Sequence, residues 1–249
     1  MSHAVHDPSE DVDLSIVIPI YNEEIILEDA VEDLLARIDD DPELANRRIE
    51  LLLSENGSTD ATVAIARQLA TEHRSVQLLR TGEPNYGLAL RRGILEARGD
   101  IVLCDEIDLC DTDFYHRALQ QLEDENFDLV IGSKALANSR DERPAYRQAA
   151  TRVLNGLFRV LLDFHGTDTH GLKAFRREAL LPVVRQCIVD QDLFASEFVI
   201  RAERNGIRMT EIPVRIAEKR KPSVHLVERV PNVLKNLGRL VWIIRIANR

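Results

Sequence analysis

Two polar segments that close apolar runs carry the side chains with the clearest capacity for chemistry. The first, 19–23, reads Pro-Ile-Tyr-Asn-Glu, and the second, 104–108, reads Cys-Asp-Glu-Ile-Asp. The apolar residues before each segment predict buried strands. If these strands are parallel neighbours in one sheet, their C-terminal ends place both segments on the rim where open α/β sheets bind ligands. A nucleotide and the cation that bridges its phosphates fit such a rim, which predicts an enzyme.

The acidic segment offers oxygen ligands for a hard divalent cation, Mg²⁺ or Mn²⁺. Its carboxylates are at positions 105, 106, 108, 111 and 113. On an extended strand end Glu106 and Asp108 project to the same side, and we predict these two as the metal ligands. The alternative is a solvated acidic loop in which Asp111 or Asp113 caps the next helix. From charge alone the two interpretations are equally supported.

Short apolar runs alternate with amphipathic segments along the first half of the chain. We predict strands at 14–19, 49–53, 76–79, 101–104 and 129–132, and helices at 24–38, 60–71, 87–98 and 113–123. Beyond these we predict a charged loop at 140–144, helices at 146–163 and 192–205, and a strand at 209–216 interrupted by Pro213. Ser58 or Asp60 is a predicted cap of the second helix. The β-α-β order predicts a parallel sheet covered by helices.

Composition limits the function classes. The chain has 249 residues and a formal net charge of −10, which argues against a general affinity for nucleic acid. The 3 cysteines lack zinc-ligand spacing, which is typical of a reducing compartment. The apolar runs are far shorter than the ~20 residues of a membrane span, so we expect a cytoplasmic protein. Charge is uneven: 7–13 and 28–41 are acidic, whereas 219–249 is basic.

Six segments in this order resemble the family 2 glycosyltransferases with the GT-A fold, especially the branch of dolichyl-phosphate mannose synthase. The matching segments are 16–24, 55–60, 85–93, the acidic strand end, 168–177 and 196–214. The resemblance covers about 14–223. It implies a Rossmann-like, mostly parallel α/β sheet flanked by helices, with a C-terminal helical extension. We accordingly expect a disordered leader at 1–13, the GT-A domain at 14–217 and a basic amphipathic extension at 218–249.

The resemblance implies an inverting transfer of a hexose from a nucleotide diphosphate sugar, UDP- or GDP-linked, with a divalent cation. It assigns the donor to Pro19, Tyr21, Glu23, Glu55, Arg91 and Glu106. Glu55 stands where the family usually has an aspartate that contacts the base, so its reach differs by a methylene. Arg91 either neutralises phosphate or lies on the surface.

Asp168 and Glu197 are the catalytic residues that the resemblance implies. In transfer to a hydroxyl group a carboxylate must accept the acceptor proton, whereas a lipid phosphate oxygen is already ionised. The structural alternatives are that Asp168 caps a turn and that Glu197 stabilises the start of a helix.

The metal motif departs from the family pattern of Asp-x-Asp followed two positions later by a polar residue. Here Glu106 and Asp108 are followed by Cys110, whose thiol is a poor ligand for magnesium. Asp111 or water supplies the missing oxygen in this interpretation, and Asp105 is an alternative ligand.

A basic segment near 219–223 matches the position of the acceptor loop in the lipid-phosphate branch, and we predict Arg220, Lys221 and Ser223 as acceptor and phosphate ligands. The glycine and lysine of that branch are replaced here by Pro222 and Val224. We favour polyprenyl phosphate as the acceptor, because a basic C-terminal helix suits an anionic membrane surface. With a soluble acceptor, the same stretch would pack on the protein or form a homodimer.

Two other classes of protein are alternatives to an active glycosyltransferase. A catalytically degenerate nucleotide-sugar-binding protein would keep the fold without turnover. A nucleotidyltransferase shares the sheet and the metal carboxylates, but it usually has a glycine-rich, lysine-bearing loop after the first strand. Residues 19–24 contain neither glycine nor lysine, which counts against nucleotidyl transfer.

Overall fold

A seven-stranded sheet in the order β3-β2-β1-β4-β7-β5-β8 forms the centre of the molecule. The computed structural model describes residues 11–136, 138–142, 144–216 and 226–247. The strands are β1 Leu14–Ile20, β2 Ile49–Glu55, β3 Val76–Arg80, β4 Ile101–Cys104, β5 Leu129–Ser133, β6 Arg140–Asp141, β7 Lys173–Arg176, β8 Met209–Pro213 and β9 Arg215–Ile216. Only β7 runs antiparallel to its neighbours, β4 and β5, and the short strands β6 and β9 form a separate parallel pair among the described residues.

Helices cover both faces of the sheet. They are α1 Leu27–Asp40, α2 Thr62–Glu72, α3 Tyr86–Glu96, α4 Thr112–Glu123, α5 Ala145–Leu162, α6 Arg177–Gln186, α7 Phe194–Arg204 and α8 Leu226–Trp242, and a π-helical turn, Ile243–Ala247, follows α8. None of the helices in the described ranges is long and apolar enough to cross a membrane.

Strand β1 shows how the sheet separates two hydrophobic cores. All seven of its residues are buried, as expected for a central strand covered on both faces. Ile16 and Ile18 pack into the core with α1, α2 and α4, whereas Val17 packs into the core with α3, α6 and α7. This alternation follows from the two-residue period of a strand, and it leaves the strand ends free to carry the polar loops.

The predicted fold class is confirmed, with corrections to individual elements. The five predicted strands of the first half are present, and the predicted interruption at Pro213 separates β8 from β9. Strand β7 and helix α6 were not predicted. Residues 24–26 form a turn rather than the start of α1, and the predicted loop at 140–144 contributes β6, which pairs with β9.

The predicted capping of α2 by Ser58 is wrong. The residue before the helix is Ala61, which makes no side-chain capping bond, and the Asp60 Oδ1 accepts from the backbone N–H of Thr62 at 3.0 Å. The Ser58 hydroxyl instead accepts from the backbone N–H of Asn22 at 3.1 Å. Ser58 therefore joins two loops, and the local bond at the start of α2 is made by Asp60, the other predicted cap.

Candidate active site

The loops after β1 and β2 are hydrogen-bonded to each other. Besides its contact with Ser58, Asn22 accepts from the backbone N–H of Thr59 at 2.9 Å through its Oδ1. The backbone N–H of Glu23 donates to the Thr62 Oγ1 at 2.7 Å. Asn22 has φ 53°, a left-handed conformation that asparagine tolerates. Of the predicted donor residues, Pro19 therefore lies in β1, whereas Tyr21 and Glu23 lie in a loop whose shape is fixed by its neighbour.

Glu55 and Asn56 extend this network to α3. Glu55 is fully buried, and its carboxylate accepts from the backbone N–H of Ser58 and, at 3.3 Å, from the Arg80 Nε. The Asn56 side chain accepts from the backbone N–H of Asn85, the residue that caps α3. Since Ile20 pairs in register with Glu55, the predicted donor residues of β1 and β2 share one rim of the sheet.

The acidic segment after β4 is a turn rather than the predicted extended strand end. The backbone N–H groups of Leu109 and Cys110 both donate to the Glu106 carbonyl, at 2.9 and 3.1 Å. These bonds curl the chain immediately after β4. Glu106 is exposed and Asp108 is half-buried, whereas Ile107 between them is buried in the core. The two predicted ligands thus stay on the outer side of the turn.

Asp105 holds this turn in shape. Its Oδ1 accepts from the backbone N–H of Glu106 at 2.6 Å, and its Oδ2 accepts from the Asp111 N–H at 2.9 Å and the Tyr115 hydroxyl at 2.5 Å. Burial raises the pKa of Asp105 to about 7, although these hydrogen bonds act in the opposite direction. Asp111 caps α4 by accepting from the backbone N–H of Phe114 at 3.0 Å, as the capping interpretation predicted.

The donor set of the turn fits a hard divalent cation. The Cys110 thiol is buried and its Sγ lies 3.5 Å from the Ile107 carbonyl oxygen, so the thiol faces the interior. Carboxylate oxygens of Glu106 and Asp108 remain on the outer side. Magnesium is commonly held by one or two carboxylates together with substrate phosphates and water. The departure at Cys110 therefore does not disturb the chemistry of this donor set.

Asp168 lies in a second buried cluster at the end of β5. Its Oδ2 accepts from the Lys134 backbone N–H at 3.2 Å and lies 3.5 Å from the Lys134 Nζ, and its Oδ1 accepts from the His170 N–H at 2.9 Å. Burial alone would raise the pKa of Asp168, but the Lys134 ammonium and these N–H groups hold it below its usual value. A Cβ added at Gly171 would lie 1.7 Å from the Gly132 carbonyl oxygen, so the turn rests directly on β5.

Sequence reasoning gave no role to Lys134 or Lys173. Lys173 is buried opposite Cys104 in the register of β7 with β4, and its Nζ donates to the Gly171 carbonyl at 2.7 Å. Burial lowers the pKa of Lys173 to about 8, and the field of Cys104 and Asp168 offsets part of that shift. A lone lysine within the apolar run 172–175 was the available signal.

Glu197 organises the loop between α6 and α7. It is fully buried, its Oε2 accepts from the backbone N–H groups of Ile188 and Val189 at 3.0 and 2.7 Å, and its Oε1 accepts from the Arg201 Nε at 2.7 Å. In this structure its carboxylate binds the backbone of the loop at 187–193, which is a positioning arrangement.

Arg91 faces the same loop. Its Nη1 donates to the Asp190 Oδ1 at 3.0 Å, and its buried Nε has no hydrogen-bond partner among the described residues. A role of Arg91 in neutralising phosphate stays a prediction. A Cβ added at Gly87 would lie 1.6 Å from the Asp190 carbonyl oxygen, which shows how closely α3 and this loop pack. From α8, the Asn236 amide donates to the Gln191 carbonyl at 2.9 Å. The predicted acceptor ligands Arg220, Lys221 and Ser223 lie outside the described residues.

Comparison with known proteins identifies this arrangement. A family model described as "Glycosyl transferase family 2" matches residues 15–182. The chain belongs to this family and is a glycosyltransferase with the GT-A fold, which confirms the resemblance seen in the sequence. A solved structure of glucosyl-3-phosphoglycerate synthase from Mycobacterium tuberculosis, with Mn²⁺, UDP and glucosyl-3-phosphoglycerate, superposes with a TM-score of 0.63 at 19% identity, covering 93% of this chain and 79% of that one.

Two curated relatives carry similar sequences. Glycosyltransferase AglD of Haloferax volcanii is 30% identical over 236 residues, which is 93% of this chain but only 37% of AglD. A dolichyl-phosphate beta-glucosyltransferase of Drosophila melanogaster is 30% identical over 227 residues, covering 85% of this chain and 69% of that protein. The chain therefore spans about a third of one relative and two thirds of the other.

Proposed function

We propose that this protein transfers a hexose from a UDP- or GDP-sugar to a polyprenyl phosphate with inversion at the anomeric carbon. The observation that carries the proposal is the outer side of the turn after β4, where Glu106 and Asp108 lie at the strand ends beside the donor loops. The name of the Drosophila relative, a dolichyl-phosphate beta-glucosyltransferase, supports the choice of acceptor. The inversion rests on the family resemblance.

On the donor side, the strand end and loop at 19–23 receive the base and ribose of the nucleotide, beside Glu55, whose buried carboxylate holds the neighbouring loop at Ser58. Glu106 and Asp108 would hold Mg²⁺ or Mn²⁺, which when bound offsets the negative charge of the departing nucleotide diphosphate. The network around Asn22 and Asp105 fixes these groups before substrate arrives, so they need no reorganisation during transfer.

On the acceptor side, Asp168 is poorly suited to accept a proton from a hydroxyl group. The Lys134 ammonium holds the pKa of Asp168 below its usual value, which makes the carboxylate a weaker base. An ionised phosphate oxygen needs no base. We infer that Asp168 orients Lys134 towards an anionic substrate, and that Glu197 acts by positioning the loop at 187–193.

An apolar face on α5 supports a lipid acceptor. Tyr146, Val153 and Val160 recur at every seventh residue and are 59%, 64% and 76% exposed. Helix α5 contains arginines but no acidic residue, although the whole chain has a net charge of −10. On α8, Trp242 is 57% exposed. Apolar side chains beside basic ones are typical of helices that lie on an anionic membrane surface.

The direct test is a transfer assay with UDP-glucose and GDP-mannose, Mn²⁺, and a short polyprenyl phosphate such as citronellyl phosphate. We expect one donor to yield citronellyl phosphate hexose, detected by mass spectrometry, with the anomeric configuration read by NMR. Product with a soluble hydroxyl acceptor but none with citronellyl phosphate would contradict the acceptor. Binding of a nucleotide sugar without turnover on any acceptor would indicate a degenerate, non-catalytic member.

Flotation with vesicles tests the lipid-facing surface separately. We expect the protein to float with anionic vesicles at low salt, and the double variant Val153→Ser/Val160→Ser to float less. Leu95→Ser, at an exposed position on α3, is the matched control. Equal flotation of native protein and double variant would remove this support for a lipid acceptor.

A further inference from the structure

An open cavity of about 850 Å³ lies beside the acidic turn, on the side of the molecule that carries α1 and α4. Its described lining comes from the turn and the start of α4, from α1, and from the segments that contain β6 and β9. The donor loops after β1 and β2 are not among those lining residues, whereas Asp108 is. Four arginines line the cavity: Arg37, Arg117, Arg140 and Arg215.

Two of these arginines are already engaged. Arg37 pairs with Asp33 at 2.9 Å, and Arg117 pairs with Asp113 at 2.8 Å. Arg37 also donates to the backbone carbonyl of Cys110, and Arg117 to that of Pro213. These contacts hold α1 and α4 against the walls of the cavity, so both guanidinium groups have a structural role.

Arg140 and Arg215 differ from that pair. They are direct partners in the register of β6 with β9, both are exposed, and both line the cavity. Among the residues that the structure describes, neither guanidinium forms an ion pair with a carboxylate. Like charges at directly paired strand positions repel each other, and an anion between them removes that repulsion. The pair therefore presents two neighbouring positive charges to the cavity without an ion-pair partner among the described residues.

We propose that Arg140 and Arg215 form a clamp for the phosphomonoester group of the acceptor. Guanidinium groups present planar forks of N–H donors that match phosphate oxygens, and two of them can bind one phosphate from two sides. The inference rests on the proposed function, because it names the group by which the acceptor is recognised.

The acidic lining residues sharpen this assignment. Asp111 caps α4, Asp113 pairs with Arg117, and Asp108 is a predicted ligand of the cation, which leaves Glu142 as an opposing exposed charge. Because Glu142 and Asp108 reduce the positive potential, we expect both guanidinium groups to be needed. The cavity places the clamp and Asp108, a predicted ligand of the cation, around one space.

Two sources can supply a phosphomonoester: a polyprenyl phosphate or a small soluble phosphate. Calorimetry without donor or cation separates them, with citronellyl phosphate, inorganic phosphate and citronellol as probes. We expect native protein to bind citronellyl phosphate but not citronellol. Arg140→Gln or Arg215→Gln should weaken the binding about tenfold and the double variant about a hundredfold, as charge-assisted bonds to phosphate imply.

Arg74→Gln is the matched control, since Arg74 is exposed and does not line the cavity. It should bind citronellyl phosphate like native protein, and circular dichroism should show all variants folded. Arg140→Lys/Arg215→Lys keeps the charge without the planar forks and should retain intermediate affinity. UDP binding in the presence of Mn²⁺ should stay within about twofold of native in every variant.

The outcomes separate the clamp from the proposed function. Much tighter binding of citronellyl phosphate than of inorganic phosphate, lost in the double variant, supports the clamp with a lipid source. Equal binding of both phosphates, again lost in the double variant, supports it with a soluble source. Unchanged phosphate binding in the double variant, or equal binding of citronellol, overturns it. Failure of transfer in the activity assay would overturn the proposed function without altering these binding results.

Discussion

The proposed donor side and the proposed acceptor side of this glycosyltransferase are built differently. On the donor side, buried strands of a parallel sheet end in loops held together by bonds between backbone and side chains, such as that from Thr59 to Asn22. On the acceptor side, a two-residue strand pair carries Arg140 and Arg215, and α5 exposes apolar side chains such as Val160. The loops of the proposed donor side are held by hydrogen bonds in this structure, whereas the proposed acceptor side presents apolar surface and arginines without ion-pair partners among the described residues.

The largest effect should come from removing the Asp108 carboxylate, a predicted ligand of the cation, because the donor side would then lose its cation. We expect Asp108→Ala to reduce transfer by about 10³-fold, because several kcal/mol of charge stabilisation depend on the bound cation. The melting temperature should stay within a few degrees, since Asp108 is only half-buried. Asp39→Ala, at an exposed carboxylate on α1 that does not line the cavity, is the control. Native-like turnover of Asp108→Ala would disprove the assignment.

A Glu197 variant tests whether this residue positions the loop at 187–193 or acts directly in catalysis. Glu197→Ala leaves the Arg201 guanidinium buried without its partner and frees two N–H groups of the loop at 187–193. We expect a loss of about 3–5 kcal/mol in the free energy of unfolding, measured with urea. Adding Arg201→Met should recover part of the loss. If Glu197→Ala is as stable as native protein but inactive, a direct catalytic role would replace the positioning role.

Tyr115 tests how far the rigidity of the donor side depends on one hydrogen bond. Tyr115→Phe removes a buried donor to the Asp105 Oδ2, so we expect about 1–3 kcal/mol of destabilisation. Because Asp105 also binds the N–H groups of Glu106 and Asp111, a looser turn should weaken Mn²⁺ binding, measured by electron paramagnetic resonance. Unchanged Mn²⁺ affinity would show that the turn keeps its shape without this bond.

The smallest effect concerns pH. Burial lowers the pKa of Lys173 from 10.5 to about 8. Between these two values the folded protein has released the proton that the unfolded chain still binds, so the free energy of unfolding rises with pH. Below about pH 8 both states are protonated and the contribution is constant. We expect the stability difference, native minus Lys173→Met, to increase from pH 7.5 to 9.5 in urea titrations; a flat difference would contradict the shift.

Sequence predicted the continuously apolar strands better than strand β7 for physical reasons. Runs such as 14–20 and 101–104 are continuously apolar and end in polar loops, which is the pattern of buried parallel strands. Strand β7 has only four residues and contains Lys173, which is buried, and Arg176, which is partly exposed, so it lacks this apolar pattern.

Individual side-chain roles depended on contacts that spacing does not reveal. The turn after β4 is shaped by the bond from Tyr115 to Asp105, which joins two elements, and so the extended prediction for Glu106 and Asp108 was wrong. The spacing of Glu197 and Arg201 is readable as a helical pair. The spacing does not reveal that Glu197 also binds the backbone of the loop at 187–193.

The position of β7 sets the order in which the sheet can be completed during synthesis. Strand β4 pairs with β1 and β7, and β5 pairs with β7 and β8, so no strand made before β7 joins them. A nascent chain that has not yet emerged to 173–176 therefore carries an open edge on β4 and two open edges on β5, because β8 at 209–213 is made later still. Open edges promote pairing between chains, so the interval before β7 emerges is when this protein most needs protection from aggregation.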